Sequence, residues 1–192
     1  YALNRDIELV VVDGQRGLGN RRRLPAGPLR EAPERLAEAD LVIVNGCCSE
    51  PDTALKGAQQ MNIRPTQFRH LQSGRCQSID DWLQSLTDGD RQVHAVAAIG
   101  NPQRFANTLA SLGLEAELHS HNDHQALGPK DLSFGDDLAV IVTAKDAVKL
   151  LGSDQRQSLG QGSIADNIWV LEIEAQIEDD FIDRLAAQLR SL

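Results

Sequence analysis

Five short and nearly continuous apolar runs constrain this 192-residue chain most: Ile7 to Val12, Leu41 to Val44, Val93 to Ile99, Leu138 to Val142 and Ile168 to Ile173. They are rich in β-branched residues and lack the strict alternation of a strand with one wet face, so they read as strands covered on both sides. Pro33 to Ala39, Ile79 to Leu86, Pro102 to Leu112 and Asp146 to Leu151 carry helical patterns between them, and Asp179 to Leu192 closes the chain as an amphipathic helix. Strands alternating with helices predict an α/β fold, a mostly parallel sheet flanked by helices. Two stretches stand apart: Arg16 to Leu29, rich in Gly, Pro and Arg, and Gly152 to Ser163, which reads as a solvated loop.

Charge and composition exclude several classes. A formal net charge of -9 repels polyanions, so a general nucleic-acid partner is not expected. With 41% hydrophobic and 24% charged residues the chain has the balance of a soluble globular protein. No apolar stretch approaches the roughly 20 residues that cross a bilayer, and the start lacks a secretory pattern, so any membrane contact is expected to be peripheral or to lie outside this sequence. Cys47, Cys48 and Cys76 form no CxxC pair, which suits a reducing, cytosolic compartment.

Four places carry chemistry. In "AIGNPQRF" a strand runs into a helix: Gly100 suits a tight turn, Asn101 a helix cap and Pro102 a first helical position. Such a turn presents backbone N–H groups and the positive helix end to an anion, and it also serves simply as a well-capped connection. In "HSHNDH", His119, His121 and Asp123 fall on one face of an extended segment and match the HxHxDH pattern of metal-dependent hydrolases. No histidine follows His124, so the downstream ligands of a two-metal hydrolase are lacking and no metal site is assigned. The arginines Arg21, Arg22 and Arg23, followed by Arg30 and Arg35, can hold phosphate or form a solvated loop. Arg30 and Glu31 sit at the mouth of a helix. Thr143 and Lys145 fall at the carboxyl end of a strand, where open α/β sheets gather ligands, so Lys145 is a candidate for phosphate.

Taken in order, "DIELVVVDGQRGLGN", "RRLPAGPLRE", "HAVAAIGNPQRF", "NDH", "FGDDLAVIVTAKDAVK" and "WVLEIEA" resemble the carboxy-terminal part of the tetraacyldisaccharide 4'-kinases, from Tyr1 to about Ala175. That resemblance implies a Rossmann-like second lobe of a P-loop kinase, with residues 1–36 a remnant of the nucleotide-binding domain and its linker and 37–192 the carboxy-terminal lobe. It implies an enzyme that uses ATP and Mg to phosphorylate the 4'-hydroxyl of the lipid A disaccharide 1-phosphate precursor at the cytoplasmic face of the inner membrane of Gram-negative bacteria. It also implies that the phosphate loop, the Walker-B-like stretch and the peripheral membrane anchor precede Tyr1, so that this fragment is soluble and inactive alone. Asp123 and His124 match the family's Asp-His pair, whose histidine is thought to assist catalysis. Arg30 and Glu31 match its "LRE" pair near the active site, and Gly100 to Pro102 its "GNP" turn. The chain departs from the pattern at Arg21, where glycine is usual, at His121, Asn122 and Gln125 around the Asp-His pair, and at Ala144 in place of a glutamate. Because His121 replaces the usual phenylalanine, the HxHxDH match reads as a coincidence of substitution. A metal-dependent hydrolase and a stand-alone anion-binding module are the alternative readings.

Overall fold

A computed structural model describes residues 5–48, 52–86, 91–123, 125–152 and 167–190. Among these residues eight strands are present: β1 (Leu9–Asp13), β2 (Leu41–Asn45), β3 (Gln59–His70), β4 (Cys76–Ser78), β5 (Gln92–Ala97), β6 (Glu115–Ser120), β7 (Ala139–Thr143) and β8 (Ile168–Ile177). Four α-helices accompany them among the described residues: α1 (Ile79–Ser85), α2 (Pro102–Ser111), α3 (Ala144–Leu150) and α4 (Asp179–Arg190). The five apolar runs all became strands. β3, β4 and β6 had no counterpart among them. Pro33 to Glu38 winds as a 3-10 helix rather than an α-helix. The loop expected from Gly152 to Ser163 lies, past its first residue, outside the described residues.

The chain divides into two compact units, Tyr1–Arg64 with Glu174–Leu192, and Pro65–Ile173. The passages between them fall inside β3 and β8. In the first unit β1 pairs with β2 and β2 with β3, all parallel. Val12, Leu18, Val44 and Leu55 form its core, with Val10, Leu29, Leu36 and Val42 packed against them.

In the second unit the strand order is β3-β8-β7-β5-β6, with β4 antiparallel on β3. The pairs β5 with β6, β5 with β7 and β7 with β8 are parallel. Successive side chains of a strand leave opposite faces, and here both faces are buried. Val93, Ala95 and Ala97 of β5 join Ala139 and Ile141 of β7 in a core with Phe68, Trp82, Phe105 and Leu109. Val96 and Ala98 join Val140, Val142, Ile168 and Val170 on the other side, closed by Leu127, Leu132, Ala147 and Leu150. That double burial explains the continuous apolar runs. Three α-helices of this unit start on side-chain caps: Ser78 Oγ accepts from Asp81 N, Asn101 Oδ1 from Arg104 N and Thr143 Oγ1 from Asp146 N. No helix among the described residues is long and apolar enough to cross a membrane.

Candidate functional site

The carboxyl ends of β5, β6 and β7 lie side by side, and three of the expected residues meet there. β5 pairs with β6 up to Ala97 opposite Ser120, and the His121 N–H then donates to the Ala97 carbonyl at 2.9 Å. This carries Asp123 back toward the start of α2, where a Cβ built on Gly100 would come 3.5 Å from Asp123 Oδ2. Lys145, on the first turn of α3, extends its ammonium to 3.1 Å from Asp123 Oδ1. Both side chains are nearly half exposed, so the pair is open to a ligand. Gly100 is not among the glycines with positive φ, so its turn does not require glycine's conformational freedom; it lies beside Asp123. Asn101 caps α2, accepting from the Arg104 N–H at 3.2 Å, as its place before Pro102 predicts.

Beneath this cluster lies a carboxylate that the sequence reading passed over. Asp146 is fully buried. Its Oδ2 accepts from the Ala98 N–H at 3.1 Å and from the Thr143 hydroxyl at 2.8 Å, and its Oδ1 lies 3.0 Å from the Lys149 ammonium. Asp146 therefore locks the end of β5 to the start of α3, and so Gly100 to Lys145. Its signal was available as the Thr-x-x-Asp spacing of a capping box at Thr143 and Asp146.

Arg30 and Glu31 belong to the first unit, where they line a cavity of about 400 Å³ with Glu8, Arg35 and Leu36. Arg30 is exposed. Glu31 is drawn into an ion-pair cluster centred on Arg35, whose guanidinium meets Glu8, Glu38 at 3.2 Å and Glu31 at 3.4 Å. The hydrogen bond that the Arg35 guanidinium donates to Glu8 foremost holds it above its usual range. Of the arginine run, Arg21 adopts φ 59 and reaches Asp52 at 2.9 Å. His124 lies outside the described residues.

The HxHxDH residues do not converge among the described ones. Asp123 is engaged by Lys145, and His121 Nδ1 lies 3.4 Å from the Gln125 side-chain amide. A different set brings metal-type ligand atoms together: His94 and Glu117 with His119, the first histidine of the motif. Burial foremost lowers the His119 imidazole below its ordinary value, against the pull of Glu117. The hydrogen bond from His94 holds Asp136 below the usual carboxylate range.

The second unit is thus an open-sheet α/β protein of the kind that takes its ligand at the carboxyl ends of its strands, with a lysine, a carboxylate and a capped helix start gathered there. The profile of one family, described as LpxK, tetraacyldisaccharide-1-P 4'-kinase, matches residues 1–190, and the chain belongs to that family. A tetraacyldisaccharide 4'-kinase of Alcanivorax borkumensis is 50% identical over 149 residues, covering 78% of this chain and 42% of the relative. One of Pseudomonas fluorescens is 40% identical over 192 residues, covering 100% of this chain and 52% of the relative. The chain therefore spans about half the length of the curated relatives it matches. The crystal structure of an "apo" form of LpxK from Aquifex aeolicus in complex with ATP shares the fold, with a TM-score of 0.61 at 20% identity over 98% of this chain and 53% of that one.

Proposed function

We propose that this chain forms part of an ATP-dependent kinase that transfers a phosphoryl group to the 4'-hydroxyl of the tetraacylated disaccharide 1-phosphate precursor of lipid A. The observation that carries the reading is the Lys145 ammonium, held by Asp123 beside Gly100 and the capped start of α2, in a chain of this family. Phosphoryl transfer is mostly positioning and charge neutralisation. Lys145 and the N-terminus of α2 offer positive potential to a phosphate oxygen, and Asp123 holds the lysine in place. His124 follows Asp123 in sequence, and the reading assigns its imidazole to accept or hold a proton. Arg30, exposed on the first unit, can hold a phosphate bidentately there.

ATP supplies the phosphoryl group when bound, and these residues fit its phosphates in charge. Among the described residues the cluster of metal-type ligands, His94, Glu117 and His119, is not the oxygen-rich set that magnesium takes. The 192 residues also contain no GxxxxGK[ST] phosphate loop. ATP and Mg are therefore assigned mainly to residues beyond these, and the chain alone is expected not to turn over. Peripheral attachment at the cytoplasmic face of the inner membrane belongs to the same reading and rests on the lipid nature of the substrate.

The test is a graft. This chain replaces the matched half of the Pseudomonas fluorescens relative, and transfer from ATP to the tetraacylated disaccharide is followed. Transfer by the graft, weakened by Lys145→Ala, supports the reading. A folded graft without transfer refutes it.

A further inference from the structure

His94 stands where β5 calls for an apolar side chain. Val96 and Ala98, next along the same face, lie in the core, and His94 itself is only 4% exposed. A buried imidazole needs a partner at each ring nitrogen, and both are present. Nε2 lies 3.1 Å from Asp136 Oδ2, and Nδ1 lies 3.0 Å from His119 Nε2. The parallel register sets Glu117 opposite His94 and His119 opposite Val96, so all three polar side chains leave the same face of the β5–β6 pair. Glu117 brings Oε2 to 3.7 Å from His94 Nδ1 and Oε1 to 4.0 Å from His119 Nε2. Phe134 stacks on both imidazoles, with ring centroids 3.9 and 4.2 Å away, and fixes their planes.

The Asp136 carboxylate accepts the Nε2 proton of His94, which leaves the Nδ1 lone pair turned toward His119 and Glu117. A carboxylate behind a histidine, selecting its tautomer, is the arrangement that supports metal-ligating imidazoles. Ligand atoms about a tetrahedral ion with bonds of about 2.0 Å stand roughly 3.3 Å apart. The two imidazole nitrogens stand 3.0 Å apart, and one Glu117 oxygen completes a set whose atoms all lie within 4.8 Å of one another, close enough for small side-chain shifts to reach that spacing.

We propose that His94 Nδ1, His119 Nε2 and a Glu117 carboxylate oxygen form a site for a divalent transition metal of the zinc class, with Asp136 orienting His94 from behind. Glu117 is largely exposed, so the ion has an entry path and a further coordination position open to water. Two imidazoles with one carboxylate suit zinc rather than magnesium or calcium. The site shares only His119 with the HxHxDH motif. His94 and Glu117 are the third residues of β5 and β6 and His119 the fifth of β6, so the site is built on the strands themselves and uses none of Gly100, Asp123 and Lys145. Its role is to pin β5, β6 and the segment carrying Phe134 and Asp136 together.

The experiment uses the full chain, stripped with a chelator and titrated with Zn²⁺ against a chromophoric competitor. One equivalent is expected to bind, and zinc in excess of its dissociation constant is expected to raise the thermal midpoint with the logarithm of its free concentration. Glu117→Gln, at an exposed position that leaves the core intact, is expected to weaken binding by tenfold or more. Asp136→Asn is expected to weaken it about 10- to 100-fold. His121→Ala, outside the cluster, is expected to leave the affinity unchanged. Absence of stoichiometric zinc, zinc of equal affinity in Glu117→Gln, or zinc lost on His121→Ala would each overturn the proposal.

Discussion

Replacing Asp146 by alanine tests whether one buried carboxylate holds the candidate site together. The side chain has no exposed surface and accepts from Ala98 N, Thr143 Oγ1 and Lys149 Nζ. Alanine leaves the buried Ala98 N–H without its acceptor, a loss of about 1–3 kcal/mol. It also removes a hydrogen-bonded partner of Lys149, whose side chain is 26% exposed and can turn to water, so that loss sits below the roughly 3–5 kcal/mol of breaking a fully buried pair. Together these give about 3 kcal/mol. For a chain of this length each kcal/mol moves the thermal midpoint by about 2–4 °C, so a fall of roughly 6–12 °C is expected by circular dichroism. Asp146→Asn keeps an oxygen for Ala98 N–H but loses the charge facing Lys149, and is expected to lose about half as much. An alanine variant within about 1 kcal/mol of the parent in urea unfolding, or an asparagine variant as damaged as alanine, would refute the reasoning.

Lys145→Ala is expected to shift stability by less than about 1 kcal/mol, because its pair with Asp123 is nearly half exposed; in the grafted kinase it is expected to lower turnover by roughly tenfold or more. Trp82, which packs on Phe68 with ring centroids 4.0 Å apart and is 1% exposed, is expected to destabilise the chain by about 3–5 kcal/mol when changed to alanine, read by urea unfolding. In chelator-treated protein, Asp136 stabilises the fold above its unfolded-state pKa, and that contribution is lost as pH falls through its depressed folded value. A carboxyl-carbon NMR titration checks this: an Asp136 midpoint that does not rise in His94→Gln counts against the pair.

The strands buried on both faces were legible because double burial leaves continuous β-branched runs. β3 was not, since Gln59 to His70 mixes Arg64, Pro65 and Arg69 with apolar residues and is mostly half-buried. β6 escaped for a related reason: Glu115, Glu117 and His119 alternate with smaller residues on a strand at the end of the order. Such charges suit a sheet edge, which must resist further pairing. At the site, Asn101 and Lys145 could be read from capping and strand-end logic, which is local. The cap that Asp146 makes with Thr143 has a local signal, but its tie to Ala98, 48 positions away in sequence, has none. His94 was concealed inside an apolar run, and its meeting with His119 depends on a parallel register that no local pattern encodes.

The pairing scheme also orders events in time. Gln92 and Glu115 of the β5–β6 pair are separated only by α2 and its turns, whereas Val93 must find Ala139 well beyond them. Closing the shorter loop first loses less chain entropy, so β5, α2 and β6 form the nucleus about which the second unit assembles. Substitutions in that crossover should slow folding, while substitutions in β8 should chiefly hasten unfolding. Parallel pairing over such separations makes this a slow-folding sheet, whose exposed intermediate strands are the ones most in need of protection during synthesis.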